Sequence, residues 1–380
     1  MTLTRAPSPS RTRIAQIPPT VQNLTPNWFA TVMGTGIVAT AAATLPQRTP
    51  WLLEAARVVW VLTALVLITL TIATVRHHAR YPGVARSHHR HPVFAHFYGA
   101  IPMAVLTVGS GALLLGEPIL GDARLPAAWT CWILGTVLGI ACAALIPLLS
   151  FTGALRLRAE DAFGGWLMSV VPPMVSATGG ALLAPTLPTA GQRVSLMLVC
   201  AALFGMSMIA SLIIIGFIWM RLLRHGVGAS AGVPTLWIVL GPLGQSVTAV
   251  TALAAAAHGT LAPEHASVAD VLAVAWGVPV LGFALLWAVI AGTITVRTLR
   301  SGLPFSLTWW SLTFPVGTCV TGLSGLAART GSPVLATLAL CGYVVLVCAW
   351  AIVAVRTLRG ALITRALLAA PVPQTQNTPS

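Results

Sequence analysis

The chain has 380 residues, of which 57% are hydrophobic and only 7% charged. A soluble domain carries about a quarter charged residues, and a fold of this length cannot cover a water-facing surface with so few. Soluble enzyme, disordered chain, collagen and disulfide scaffold are thereby excluded, and the composition is that of a protein whose solvent is mostly lipid.

Residues 1–25 are rich in Pro, Ser, Thr and Arg and read as a disordered tail, as do the last residues, 370–380. Between them lie ten apolar stretches, each close to the length of about 20 residues that crosses a bilayer. They run approximately over 27–45, 55–75, 93–115, 127–150, 163–184, 194–219, 234–256, 268–296, 305–328 and 332–355. Residues 39–46 have an Ala-x-Ala look, but the long polar lead before the first stretch argues against a cleaved signal peptide. Six cysteines fall inside the apolar stretches with no CxxC pair, so neither a zinc site nor a disulfide framework is indicated.

The net charge of +14 comes entirely from arginine, since lysine is absent. In a soluble protein this would point to nucleic acid. Here the arginines stand at the ends of apolar stretches, and no nucleic-acid partner is expected. With ten spans both chain ends share one side, and that side collects 16 arginines against 5 on the other. By the bias of positive residues toward the cytoplasm, both termini are expected to be cytoplasmic in a plasma (inner) membrane.

A repeat underlies the spans. Pro102, Pro172, Pro242 and Pro315 recur at spacings of 70, 70 and 73, each inside an odd-numbered span. Gly109, Gly179 and Gly322 follow seven residues after three of them, and every even span ends on arginine. Fixed period with shared punctuation marks a structural repeat. The odd spans hold 14 glycines and the even spans 8. Interior proline bends a helix, and glycine permits close backbone approach. The expected fold is an all-α membrane protein of ten transmembrane helices, arranged as five tandem helical hairpins around a central pore. Kinked odd helices lie inside and even helices outside. The competing reading is that the prolines and glycines serve tight packing only.

No Asp, Glu, Lys, Arg or His lies near the middle of any span, where proton-coupled transporters usually carry one. An uncharged pathway suits passive conduction of a weakly held anion. A potential of about 100 mV, negative inside, favours its exit by about 2.3 kcal/mol per unit charge. Thr35, Gln245, Ser246 and Thr318, with Thr248 and Thr321, either donate hydrogen bonds to a partly dehydrated anion or satisfy carbonyls freed at the bends. Gly34 and Gly36 flank Thr35 without a phosphate-loop pattern. No catalytic arrangement, cofactor site or metal site is evident. The segment 76–92, with five histidines and four arginines, reads as a solvated basic loop, since its His-His pairs are poorly spaced for a metal.

Four stretches carry a resemblance: PNWFATVMGTGIVA (26–39), HPVFAHFYGAIPMA (91–104), WLMSVVPPMVSATGG (166–180) and FSLTWWSLTFPVGT (305–318). They resemble the tellurite-resistance/dicarboxylate transporter family, whose members include slow anion channels, tellurite-resistance channels, malate permeases and sulfite exporters. The resemblance covers nearly all of residues 26–356. It implies five hairpins around a pore, a homotrimer with one pore per subunit, and a phenylalanine gate matching Phe314, before Pro315. The MGTGIV opening is closer to the sulfite-exporter and malate-permease branch. Efflux of an inorganic anion such as sulfite or chloride is expected, with proton-coupled dicarboxylate transport and tellurite resistance as alternatives.

Overall fold

The computed structural model describes residues 21–155 and 157–369; the tails at 1–20 and 370–380, with Arg5, Arg11 and Arg13, and Arg156 lie outside the described residues. Every regular element among the described residues is helical. In chain order the α-helices are α1 (Phe29–Thr44), α2 (Pro50–Arg80), α3 (Pro82–His89), α4 (Phe94–Phe97), α5 (Ala100–Leu115), α6 (Glu117–Leu120) and α7 (Arg124–Phe151). There follow α8 (Leu167–Val170), α9 (Pro172–Leu183), α10 (Ala190–His225), α11 (Leu240–His258), α12 (Pro263–Arg300), α13 (Phe314–Thr330) and α14 (Pro333–Leu358).

Among the described residues, eight helical segments are long and apolar enough to cross a membrane, or nine when 164–170 and 172–186, bent by 47°, count as one. The chain is therefore a multi-pass membrane protein. The tenth expected span corresponds to α1, which has 16 residues and is buried throughout 29–43.

Two layers follow from burial. The segments containing α5, α11 and α13 are 67–72% buried, whereas those built on α2, α7, α10, α12 and α14 are 11–33% buried. The inner helices pack in a closed cycle, α1 on α5, α5 on α9, α9 on α11, α11 on α13 and α13 back on α1. Each long outer helix sits against two neighbouring inner ones: α2 on α1 and α5, α7 on α5 and α9, α10 on α9 and α11, α12 on α11 and α13, α14 on α13 and α1. The exposed faces of the outer helices are lined by Leu, Ile, Val and Phe, as expected where lipid is the solvent.

The four repeat prolines do not stand in helix interiors as the sequence reading expected. Pro102 and Pro242 are the third residues of α5 and α11, Pro172 the first of α9, and Pro315 the second of α13. The first turn of a helix has N–H groups without intrahelical acceptors, so proline fits there at no cost in hydrogen bonds. Before each of these turns the chain runs as a 3₁₀ stretch or a short helix, as at 230–239 before α11 and 307–312 before α13. The inner helices are thus two-part segments, joined where proline begins the α-helical part.

A second register binds the layers. Trp60, Trp132, Phe204, Trp276 and Trp350 follow one another at 72, 72, 72 and 74 residues, one on each long outer helix. The Trp60 indole donates to the Val108 carbonyl of α5 at 3.1 Å, and Trp132 to the Ser176 carbonyl of α9 at 2.8 Å. Trp276 donates to the Ser246 hydroxyl of α11 at 3.1 Å, and Trp350 to the Thr35 hydroxyl of α1 at 3.2 Å. Phe204, lacking a donor, packs edge-on against Trp276 at 5.8 Å. Each indole combines large apolar area with one donor, which suits a helix that faces lipid on one side and the ring on the other.

The ends of the described chain are ordered. Residues 21–23 form a 3₁₀ turn, the Asn23 amide donates to the Leu368 carbonyl at 2.9 Å, and His77 Nδ1 lies 3.0 Å from the Val21 carbonyl. The histidine-rich segment is also structured: α2 extends to Arg80, α3 occupies most of the remainder, and the rings of His77 and His88 stack at 5.4 Å, both buried. It is therefore helical and not the loop expected from its composition, but its four arginines are exposed, as a solvated basic segment requires. No group of three metal-binding side chains occurs among the described residues.

Candidate functional site

Phe314 opens α13, directly after the 3₁₀ turn 307–312. The turn is locked from within: the Thr313 hydroxyl donates to the Trp310 carbonyl at 2.7 Å, and the Gly317 N–H to the Thr313 carbonyl at 2.9 Å. Pro315 supplies the fixed φ that starts the helix. The ring of Phe314 is buried among the inner helices.

Two cavities meet at this ring. The first, of about 20 Å³, lies at the starts of the inner helices and is lined by apolar side chains, among them Met33, Met103, Met168 and Ile238, with Ser311 its one side-chain hydroxyl. The second, of about 280 Å³, lies along their C-terminal halves and is lined by Thr40, Thr107, Ser110, Thr178, Gln245, Thr248, Thr251, Thr321 and Ser324 among others. Phe314 is the single residue lining both. The first cavity is on the face where the outer helices end, at Arg80, Phe151, His225, Arg300 and Leu358; the second is on the opposite face. A hollow of about 450 Å³ lined by Phe151, Ile213 and Phe217 lies off the axis and does not touch Phe314.

The other residues singled out from sequence divide sharply. Pro242 and Pro315 line the first cavity, and Gln245 lines the second, its amide donating to the Thr178 hydroxyl at 2.7 Å. Thr248 and Thr321, whose hydroxyls meet at 2.7 Å, also line the second. Thr35, Ser246 and Thr318 line neither cavity. Thr35 and Ser246 accept from the outer-layer tryptophans, and Thr318 donates to the Pro315 carbonyl at 2.7 Å while reaching those of Leu240 and Gly241, at the start of α11. Ser246, donating to the Leu243 carbonyl at 2.8 Å, and Thr318 thus serve backbone carbonyls, the second of the two roles open to them, while Thr35 serves the layer contact, a role the sequence reading did not consider.

Gly34, Gly36, Gly109, Gly179 and Gly322 likewise stand at helix contacts. A Cβ on Gly34 would strike Thr313 and Trp310, and one on Gly36 would strike Thr107. A Cβ on Gly109 would meet Cys131 of α7 at 2.6 Å, one on Gly179 Trp132 at 3.0 Å, and one on Gly322 the Gly244 carbonyl at 3.1 Å. Pro172 faces Gly139 of α7 and Pro102 is buried in α5; neither lines the two axial cavities. Gly34 nonetheless bears on Phe314, because its missing side chain lets α1 approach the turn that presents the ring.

The sequence reading missed most of the second cavity's polar lining, Thr40, Thr107, Ser110, Thr178, Thr251 and Ser324 among it, and both its arginines, Arg48 and Arg329, so this lining is not uncharged as expected. The two arginines sit beyond α1 and in the last turn of α13, where position along the chain suggests a loop end only. The Arg48 guanidinium donates to the Ala43 carbonyl at 3.2 Å. Arg329 pairs with Asp270 of α12 at 3.1 Å, and the other Asp270 oxygen lies 2.6 Å from His258 Nε2.

The profile of the voltage-dependent anion channel family matches residues 23–358. The chain belongs to that family. Among characterised relatives, a sulfite efflux pump of Trichophyton rubrum is 25% identical over 339 residues, covering 88% of this chain and 89% of the relative. A sulfite efflux pump of Candida albicans is 26% identical over 318 residues, covering 78% of this chain and 65% of the relative. An uncharacterized transporter of Methanocaldococcus jannaschii is 24% identical over 301 residues, covering 79% and 82%.

Proposed function

We propose that this protein exports a small inorganic anion, with sulfite foremost, through the axis of the inner ring, and that Phe314 is the barrier in that path. The observation carrying the proposal is that Phe314 alone among the described residues lines both cavities. A hydrophobic ring in a narrow passage blocks ions both sterically and by excluding water. Family membership and the sulfite pumps among the relatives support the substrate class.

In this reading the described helices are ten spans in five hairpins, α1 being the short first one. The arginine-rich face and both chain ends are cytoplasmic, in the plasma membrane, and the subunit assembles as a trimer with one path each. An anion enters from the arginine-rich side, passes the apolar cavity and the ring, and reaches the hydroxyl-lined cavity. There threonine, serine and Gln245 side chains replace part of its hydration. The membrane potential alone drives its exit.

A second reading, transport of a dicarboxylate, gains support from Arg48 and Arg329, which could engage two carboxylates. A flux panel in proteoliposomes separates the two: sulfite, chloride, nitrate, tellurite and malate, each with and without a proton gradient. Passive, potential-driven sulfite flux that a proton gradient does not change is the expected result. Malate flux that requires the gradient, with sulfite excluded, would replace the first reading with the second.

A further inference from the structure

The second cavity brings together two guanidinium groups from opposite ends of the chain. Its described lining holds Arg48 and Arg329 and no carboxylate. Arg48 forms no ion pair among the described residues; its one hydrogen bond ties it to the C-terminal end of α1. Arg329 is anchored through one nitrogen to Asp270, while its Nε is buried without a partner. Its side chain is 18% exposed, so its charge acts in a medium less screened than water. Asp270 stands behind Arg329 and is itself held by His258. Two cations against one carboxylate leave this cavity positive.

We propose that Arg48 and Arg329 form an oxyanion site in the cavity beyond Phe314, receiving the anion once it has passed the ring and turning cations away. Asp270 sets how much of the Arg329 charge the site presents. The class of ligand is a small oxyanion such as sulfite, since planar guanidinium groups match paired oxygens. The inference rests on the conduction reading above and adds its selectivity element. A bare path past an apolar ring distinguishes poorly between ions of equal size; a fixed positive charge at its exit distinguishes by sign.

The alternative role for both arginines is capping of helix C-termini, where cations are favourable. The Arg329–Asp270 pair separates the two roles. A structural pair broken from either side harms the protein in the same direction. An electrostatic element responds in opposite directions when a cation or its compensating anion is removed.

The test is sulfite efflux from proteoliposomes at low ionic strength, with the ratio of anion to cation permeability measured alongside. The double variant Arg48→Gln/Arg329→Gln should lose flux on the order of fivefold or more, with the deficit shrinking at high salt. Lysine at both positions should restore most of it. Asp270→Asn should raise flux and anion preference above wild type. A fall in flux for both Asp270→Asn and Arg329→Gln, or no change in the double variant, overturns the site. Should Arg329 variants fail to fold, Arg48→Gln, in the exposed linker after α1, carries the same expectation by itself. Wild-type protein passing no sulfite overturns the conduction reading itself, a result distinct from active protein indifferent to the arginines.

Discussion

Gly244 shows how little room the inner ring leaves a single residue. A Cβ there would strike the Cys319 amide of α13 and lie 2.6 Å from the Thr318 carbonyl carbon, both backbone atoms that cannot rotate aside. Gly244→Ala should cost about 1–3 kcal/mol in stability, the usual scale for overpacking. Thermal unfolding in detergent measures it, and an unchanged melting temperature would contradict so close an approach of α11 and α13. His88 offers a residue-scale test in pH. Burial, reinforced by the charges of His77, His91 and neighbouring histidines, holds its pKa down to about 4 from 6.5. The folded protein therefore binds fewer protons here than the unfolded chain between those values. This contribution to stability is present above pH 6.5 and is lost as pH falls toward 4. His88→Phe should flatten that part of the stability profile; an unchanged slope would show that His88 does not titrate in this window.

At the scale of elements, the proline period was legible in the sequence and its meaning was not. Spacing alone places Pro102, Pro172, Pro242 and Pro315 in equivalent positions, but does not say whether a helix bends at proline or starts there. The preceding 3₁₀ stretches decide for starting, because a first-turn proline leaves no broken hydrogen bond. The tryptophan register was equally legible at 72 residues and was overlooked among the more conspicuous prolines and glycines. It makes a test of layer docking. Trp132→Phe keeps most of the packing but strips the donor from the Ser176 carbonyl. That carbonyl keeps the bond from its own helix, so the loss of this second hydrogen bond is expected to cost about 0.5–1.5 kcal/mol, again by thermal unfolding. A neutral effect would reduce the indole to a space filler.

For the whole molecule, membrane residence followed from composition, the two-layer arrangement from the proline and glycine repeat, and family from four motifs. Which side chains face the axis did not follow. Residues 29–43 of α1 are buried on every face, so apolar periodicity carries no sign of which face meets the passage and which meets a neighbour. Thr35, Ser246 and Thr318 were candidates on type and position but turn to neighbouring backbone or tryptophan. Gln245, Thr248 and Thr321 line the second cavity. Arg48 and Arg329 are 281 positions apart, and only closure of the ring, α13 onto α1, brings them to one cavity.

The proposed conduction requires Phe314 to be the principal barrier between the two cavities that it lines. Its most direct test is potential-driven sulfite flux through proteoliposomes bearing wild-type protein, Phe314→Leu or Phe314→Ala at equal density. Flux that rises in that order, as the side chain shrinks, is the predicted result. Equal flux from all three well-folded proteins would mean that the ions cross elsewhere.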